Sequence, residues 1–141
     1  MQRFKFRLQK VLEYRIMAED WAKQAVAEAQ AQLNEGQLQS ARIRQRREEL
    51  IRSSSPRQLQ DFQALNAYLE KLDDDEAAQA AVNQILENEL EQTKEHWIKC
   101  RQETKAMTTL KDQKYAEWVA KANQEEQNQL DEFAVNHRRA A

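Results

Sequence analysis

The chain has 141 residues and only two strong helix breakers, Gly36 and Pro56. Tight turns in β-sheet proteins rely on glycine and proline, so two such residues are too few for a fold with many strands. The most abundant residues include alanine, glutamine, glutamate and leucine, which are strong helix formers. The sequence therefore predicts an all-α fold with very few interruptions.

One segment interrupts the helix-forming pattern, RSSSPRQL at residues 52–59. Ser55 suits the N-cap of a helix, and Pro56 suits the first helical position because its ring fixes a helical φ. Gln58 follows Ser55 by three residues, which completes a capping box. One helix is therefore predicted to end near Arg52 and a second to begin at Pro56. So short a connection makes the two helices antiparallel neighbours.

Apolar and small residues recur at alternating spacings of three and four along both predicted helices. A repeat of about 3.5 residues held over this length is typical of a left-handed coiled coil. Folding the chain about residue 54 places small residues of helix 1 opposite large residues of helix 2. The predicted facing pairs are Ala18 with Leu90, Ala22 with Leu86, Gly36 with Leu72, and Val11 with Trp97.

The predicted fold is all-α, with two long helices in an antiparallel left-handed coiled coil. It is a single coiled-coil domain, residues 1–141, made of helix 1 at about 4–52, a turn at 53–55 and helix 2 at about 56–137. Helix 2 is the longer by about 30 residues, so its last part is predicted to overhang helix 1. Exposed apolar residues on an overhang usually mark a contact surface. They follow one face, at Tyr115, Trp118, Ala122, Leu130 and Phe133.

Charge is unevenly divided along the chain. Residues 1–58 hold 12 basic and 7 acidic residues, for a net charge of +5. Residues 59–141 hold 10 basic and 17 acidic residues, for a net charge of −7. Because opposite charges on neighbouring helices favour ion pairs, the pattern predicts that helix 1 and helix 2 attract each other.

The sequence offers few residues for catalysis or metal binding. His96 and Cys100 have the spacing of two metal ligands on one helix face, but there is no other cysteine and Cys100 falls on the predicted seam. The acidic run LDDDE, Leu72 to Glu76, lacks the glycine-containing loop of a calcium site. No glycine-rich phosphate loop is present. We expect a packed thiol, a solvated acidic face, and no enzyme activity, metal or cofactor.

The cysteine count and the lengths of apolar runs indicate a compartment. A single cysteine excludes an internal disulfide, which fits a reducing compartment. No apolar run approaches the roughly 18 residues of a membrane span. The N-terminal region also lacks the apolar core of a secretory signal. These features favour a cytosolic protein.

Two basic segments raise further interpretations. The stretch RIRQRREE, Arg42 to Glu49, lacks interleaved aromatic residues and ends in two glutamates, so nucleic-acid binding is not predicted. The stretch RFKFRLQKVLEYR, residues 3–15, mixes cations with apolar residues and is compatible with a helix on an anionic membrane. The preferred interpretation is a helix of the seam, because Leu8 and Val11 belong to that seam, with cations facing outward to a partner.

Three motifs carry a resemblance to a known family. They are FRLQKVLEYRIMAEDWAKQAVAEAQAQL from Phe6 to Leu33, LNAYLEKLDDDEAAQ early in helix 2, and the tail EEQNQLDEFAVNHRR. In this order, and over almost the whole chain, they resemble the FliJ family of the bacterial flagellar type III export apparatus, which is related to the YscO-type proteins of injectisomes. The residues that match at the two ends are Phe4, Phe6, Leu8, Val11, Leu12, Tyr14, Arg15, Asp131, Glu132, Phe133, Arg138 and Arg139.

The resemblance implies a non-enzymatic stalk and adaptor, cytoplasmic and peripheral to the inner membrane at the flagellar base. FliJ proteins resemble the central stalk of rotary ATPases. They bind the hexameric export ATPase and help to assemble its ring, contact the cytosolic domain of the export gate, and handle export chaperones. Ring contact is expected at Arg3, Lys5, Arg7, Lys10, Tyr115, Trp118, Leu130 and Phe133. Gate contact is expected at Tyr68, Leu69 and Leu72, in a patch made more acidic than the family pattern by Asp73, Asp74 and Asp75.

Other interpretations remain open at this point. The equivalent stalk protein of an injectisome would differ only in the machine that it serves. A structural coiled coil that self-associates through its overhang would show concentration-dependent sedimentation. A peripheral membrane binder that uses residues 3–15 would float with anionic liposomes.

Overall fold

Two long helices make up nearly all of the protein in this computed structural model, which describes residues 2–140. Helix α1 spans Gln9–Ser53 and helix α2 spans Leu59–Ala140, and residues 2–140 contain no strand. The helices pack against each other as an α-hairpin. The predicted all-α class with two long paired helices is confirmed.

The first helix begins later than predicted. Its first turn starts at Gln9, whose N–H donates to the Phe6 carbonyl at 3.2 Å, and the Leu12 N–H donates to the Leu8 carbonyl at 2.9 Å. The preceding residues alternate strictly between basic and apolar side chains, a period of two that suits extended chain rather than helix. The predicted helix start at about residue 4 is therefore replaced by a non-helical segment.

The second helix also begins later than predicted, at Leu59 rather than Pro56. The Phe62 N–H donates to the Gln58 carbonyl at 3.2 Å, so Gln58 occupies the capping position that the sequence pattern assigns to Ser55. Residues 54–58 form the link between the helices. Pro56 is compatible with a position in this link, because a proline disfavours helical φ and ψ in the residue before it, here Ser55.

The chain divides into two compact units. The terminal unit comprises Met1–Asp20 and Lys99–Ala141, and the hairpin unit comprises Trp21–Ile98. Each unit buries residues of its own. The hairpin unit contains the link between the helices, and the terminal unit contains the N-terminal segment and the end of α2.

The core of the hairpin unit joins small residues of α1 to large residues of α2. Ala29 and Leu33 are buried with Leu90, and Val26 and Leu86 pack against them. Because alanine leaves room for a leucine from the facing helix, the two backbones approach closely at this level. Pairing of small with large residues is thus confirmed, although the partners differ from those predicted.

The pairing of the helices is shifted from the predicted register. Gly36 lies beside Asn83 and Leu86 rather than Leu72, and Leu90 packs on Ala29 rather than on Ala18. The shift is eleven residues along α2, from position 72 to 83. The prediction treated the turn as a tight reversal at residue 54. Helix ends at Ser53 and Leu59, instead of a reversal at residue 54, account for four residues of the shift. The other seven correspond to ~10 Å along the helix axis, which the five-residue link can span because a non-helical residue advances up to ~3.3 Å.

A polar layer crosses the hairpin unit at Gly36. The Asn83 side-chain amide donates to the Gly36 carbonyl at 3.3 Å and to the Ser40 hydroxyl at 3.0 Å. The Gln79 amide donates to Asn83 Oδ1 at 3.0 Å. Ser40 is a buried polar residue, and this layer gives it a partner. A satisfied polar layer inside a helix pair penalises other registers, in which the same groups would be buried without partners.

Ion pairs join basic residues of α1 to acidic residues of α2, as the uneven charge predicts. In the hairpin unit, Arg44 pairs with Glu76 at 2.8 Å and Arg47 with Asp73 at 2.9 Å. In the terminal unit, Arg15 pairs with Glu103 at 2.6 Å. These side chains are partly exposed, so each pair contributes at most about 1 kcal/mol. The predicted attraction between the helices is confirmed within each unit.

Candidate partner-binding surfaces

The N-terminal strap, residues 2–8, lies along α2 in the terminal unit. Its anchor is Phe4, whose ring meets Tyr115 edge-on at 5.3 Å between centroids and Trp118 at 5.9 Å. Tyr115 and Trp118 stack on each other at 6.0 Å. Aromatic pairs at these distances contribute about 0.5–1.5 kcal/mol each beyond the area they bury. Tyr115 and Trp118 are therefore in contact with the strap. The sequence had placed both residues on a bare overhang, and that prediction is wrong for these two residues.

The strap covers a long stretch of α2 because it is not helical. Gln2 lines a small pocket with Ala122 and Glu125, and residues 2–8 together line a groove with Leu110, Lys114 and Trp118. A helix of seven residues would span ~10 Å, whereas a strap of the same length spans up to ~23 Å. Ala122 is consequently buried. The predicted overhang of α2 is shortened to residues 123–140.

The bare tail, residues 123–140, is helical, and every one of its residues is exposed. Leu130 is 57% exposed and Phe133 is 70% exposed. The Phe133 ring stacks on His137 at 6.1 Å, one turn further along the same helix. Two large apolar side chains are thus open to a partner, as the sequence predicted for the end of helix 2.

The predicted basic contact residues are exposed along the strap and the first turn of α1. Arg3, Lys5 and Arg7 alternate with the half-buried Phe4 and Phe6. This alternation turns the aromatic rings toward α2 and leaves the cations at the surface. All eight residues predicted to contact the ring belong to the terminal unit, at Arg3, Lys5, Arg7, Lys10, Tyr115, Trp118, Leu130 and Phe133.

A groove of about 580 Å³, the strap groove, opens between the strap and α2. Its α2 side is formed by Leu110, Lys114 and Trp118, and its other side by the whole strap. Lys114 also forms an ion pair with Glu117 at 3.4 Å on the same helix. The groove combines an apolar floor with several cations in the size range of ligand sites.

The residues predicted for gate contact lie in the hairpin unit and differ in exposure. Tyr68 is 38% exposed, Leu69 is half-buried, and Leu72 is only 6% exposed in the seam. The nearby Tyr68 side chain is the main cause of a raised pKa for the Arg46 guanidinium. Of the three residues, Tyr68 presents surface to a partner, while Leu72 holds the helix pair together beneath it.

The family of the chain follows from comparison with known proteins. The family model described as Flagellar FliJ protein matches residues 4–140, from the strap to the end of α2. The chain belongs to the FliJ family. Membership makes it a component of the flagellar export apparatus, in a family of structural and adaptor proteins rather than a known enzyme family. Neither the curated proteins nor the solved structures contain a significant match to this FliJ chain.

The charged runs of this FliJ protein are engaged between its helices. In the basic stretch of α1, Arg44 and Arg47 form ion pairs with α2. In the acidic run of α2, Asp73 and Glu76 are the partners of those arginines. Both runs therefore have a structural role in the hairpin unit, whereas the sequence analysis expected only a solvated face for the acidic run.

The FliJ chain shows no metal centre in its described part. Cys100 is buried, and the Thr104 hydroxyl donates to its carbonyl at 3.0 Å. Residues 2–140 contain no group of three or more histidine, cysteine or acidic residues placed to hold a metal ion. In that same range, no helix has the length and apolar content required to cross a membrane.

Two features of the terminal unit were missed at the level of sequence. Tyr14 and Met17 expose their side chains on the outer face of α1, and Leu8 and Val11, which the sequence assigned to the seam, are exposed as well. The strap itself was read as helix. Its signal was present in the alternation of basic with apolar residues over 3–8, which is a strand-like period.

Proposed function

We propose that this FliJ protein is a non-enzymatic stalk and adaptor of flagellar protein export. In this proposal the terminal unit binds the hexameric export ATPase and promotes assembly and activity of its ring. The protein also links the ring to the cytosolic domain of the export gate and to export chaperones. It acts in the cytoplasm, next to the inner membrane at the flagellar base. The observation that carries the proposal is the pair of exposed apolar side chains, Leu130 and Phe133, on the bare tail.

The bare tail favours a binding role over a purely structural one. A helix of about 18 residues without tertiary partners is marginal in water, and exposed apolar side chains do not stabilise it. Burial of a leucine or phenylalanine in a partner contributes about 1.5–3 kcal/mol each. Leu130 and Phe133 are spaced by three residues, so one partner surface can cover both.

The cations of the strap are suited to speeding the association with the ATPase ring. Exposed cations such as Arg3, Lys5 and Arg7 accelerate association with an acidic surface, while apolar contacts slow dissociation. A stalk changes the activity of a ring only if its contacts differ between the conformations of the ring subunits. In this mechanism the nucleotide and its hydrolysis belong to the ring, and FliJ contributes contacts alone.

The gate contact is proposed at Tyr68. Its side chain is 38% exposed on α2, so the ring offers an apolar face to a partner. Leu69 and Leu72 support the proposed contact from the seam, where their burial fixes this turn of α2.

The ring proposal is tested with purified protein and its cognate export ATPase, following ATP turnover and ring formation together. The test variant is Leu130→Ala with Phe133→Ala. The chain offers a matched control in Leu59→Ala with Phe62→Ala, since Leu59 and Phe62 have the same spacing and are 73% and 54% exposed. We expect the wild type and the control to raise both readouts, and the test variant to lose most of the effect.

Two results would contradict the ring proposal. The wild-type protein at saturating concentration leaves turnover and assembly unchanged, or both double variants behave alike. In either case sedimentation at several concentrations tests whether the protein is a self-associating coiled coil. Association that depends on Leu130 and Phe133 would instead support a self-associating coiled coil.

A further inference from the structure

The strap groove differs from the bare tail because it already has a shape and a charge. Its apolar lining comes from both sides, with Phe4 and Phe6 of the strap, and Leu110 and Trp118 of α2. We propose that this groove binds a short, extended acidic peptide segment of a partner protein that carries apolar anchor residues. The proposal deepens the ring-binding function and rests on it for the identity of the partner, but the chemistry of the groove can be tested alone.

The charge of the lining selects an acidic partner. Four cations border the groove, Arg3, Lys5, Arg7 and Lys114, and no acidic residue lines it within the described part of the chain. Lys114 forms an ion pair with Glu117, which does not line the groove. Cations without acidic neighbours favour association with anions, and reject basic partners by like-charge repulsion.

The strap selects an extended backbone. Within residues 2–140, no backbone–backbone hydrogen bond involves residues 3–5. A non-helical segment whose N–H and carbonyl groups lack backbone partners can pair with a peptide by strand addition, where alternate side chains of the peptide point into a groove and outward. A partner with acidic and apolar residues in alternation would then match both the cations and the apolar floor.

The groove favours a peptide over a membrane for a geometric reason. Its apolar lining is recessed beside Trp118, which is half-buried under Phe4, whereas a membrane-binding helix presents its apolar face outward. A peptide can enter such a recess without displacing the strap. Anionic lipid is kept as an outcome of the test, because its headgroup offers the same negative charge.

The experiment uses the full-length protein labelled with nitrogen-15 and a short peptide in which glutamate and leucine alternate. Binding should shift the Trp118 indole N–H and the amides of the strap, while the indoles of Trp21 and Trp97 in the hairpin unit serve as internal controls. Two further peptides replace glutamate with lysine, or leucine with serine. Anionic lipid vesicles form the last arm.

Variants locate the site. Lys5→Glu with Arg7→Glu should weaken binding of the glutamate–leucine peptide about tenfold or more, because two attractions become repulsions. Arg138→Glu with Arg139→Glu is the matched control, since it changes the net charge equally on the exposed tail. We expect the control to bind like the wild type, and the lysine–leucine and glutamate–serine peptides to bind far more weakly.

Several outcomes would overturn the proposal. If the glutamate–serine peptide binds as tightly as the glutamate–leucine peptide, binding depends on charge alone and not on the apolar lining of the groove. Equal weakening by both charge-reversal variants would have the same meaning. Binding of anionic vesicles without peptide binding would identify a lipid surface instead. Because no ATPase is present, a failure here leaves the ring experiment standing, and a failure of the ring experiment leaves peptide binding to be measured.

Discussion

Replacement of Gly36 by alanine should destabilise the hairpin unit, even though alanine is the better helix former. A Cβ added at Gly36 would overlap Asn83 Oδ1 and would lie 3.2 Å from Leu86 Cδ1. The Asn83 side chain would have to swing away. It would then lose its hydrogen bonds to the Gly36 carbonyl and the Ser40 hydroxyl.

The expected magnitude follows from two opposed effects. Glycine to alanine inside a helix stabilises by about 1 kcal/mol. Loss of two hydrogen bonds costs about 0.5–1.5 kcal/mol each, and the cost rises when a buried hydroxyl such as that of Ser40 is left without its partner. The net expectation is a destabilisation of about 1–2 kcal/mol. The direction depends on Asn83, which makes the reasoning open to a direct test.

The assay is urea unfolding followed by helical circular dichroism, with free energies compared at unchanged m. In an Asn83→Ala background the overlap with Asn83 is absent and only the approach of Leu86 Cδ1 at 3.2 Å remains, so Gly36→Ala should stabilise by up to about 1 kcal/mol. The sign of one substitution should thus reverse between two backgrounds, with a coupling of about 2–3 kcal/mol. Gln37→Gly compared with Gln37→Ala, at an exposed neighbouring position, measures the glycine-to-alanine effect without the packing.

Equal stabilisation of both backgrounds by Gly36→Ala would refute the proposed packing of Asn83 in the polar layer. Such a result would mean that Asn83 is not held against the backbone of α1. The polar layer would then have no part in setting the register of the hairpin unit.

Two further perturbations have clear expected outcomes. Phe4→Ala removes two aromatic contacts and should release the strap, so trypsin should cleave at Arg3, Lys5 and Arg7 faster while the unfolding midpoint changes little; unchanged cleavage would contradict the anchoring role. Tyr68→Ala should weaken binding to the export gate with little change in stability, whereas Leu72→Ala should lower stability by about 2–5 kcal/mol. Pull-down and urea unfolding of both variants check this, and a reversed pattern would move the contact away from Tyr68.

The fold class could be predicted from sequence because it depends on local and repeating features. Heptad spacing and the near absence of glycine and proline indicate two long helices. The excess of basic residues in the first half anticipates pairs such as Arg15 with Glu103 and Arg44 with Glu76. Such signals are summed over many residues, so single exceptions do not change them.

The register could not be predicted because it depends on a few residues of the link. Heptads match again after every seven residues, so the apolar pattern alone accepts several registers. Asn83 distinguishes them, since its amide needs partners such as the Gly36 carbonyl and the Ser40 hydroxyl. A polar residue facing a glycine across a predicted seam was the available signal. This signal identifies the register only when several lengths of the link between the helices are considered.

The candidate surfaces were predicted in part. The exposure of Leu130 and Phe133 followed from the greater length of the second helix. The contact of Tyr115 and Trp118 with Phe4 did not, because arginine, lysine and leucine favour helix locally and hid the strand-like alternation of the strap. The alternation covers only residues 3–8 of the strap, which is too short a pattern to outweigh the local preference of these residues for helix.

In this FliJ protein, the length of the non-helical strap sets how much of α2 is uncovered. Each strap residue reaches up to ~3.3 Å along a helix that rises only ~1.5 Å per residue. Two residues inserted before Gln9 would keep the alternation of basic and apolar side chains, and would move the edge of the bare tail by about four helical residues. The heptad pairing of the hairpin unit would be unchanged. The length of helix that FliJ offers to a partner could thus change in steps of two strap residues, which keep the aromatic rings toward α2 and the cations at the surface.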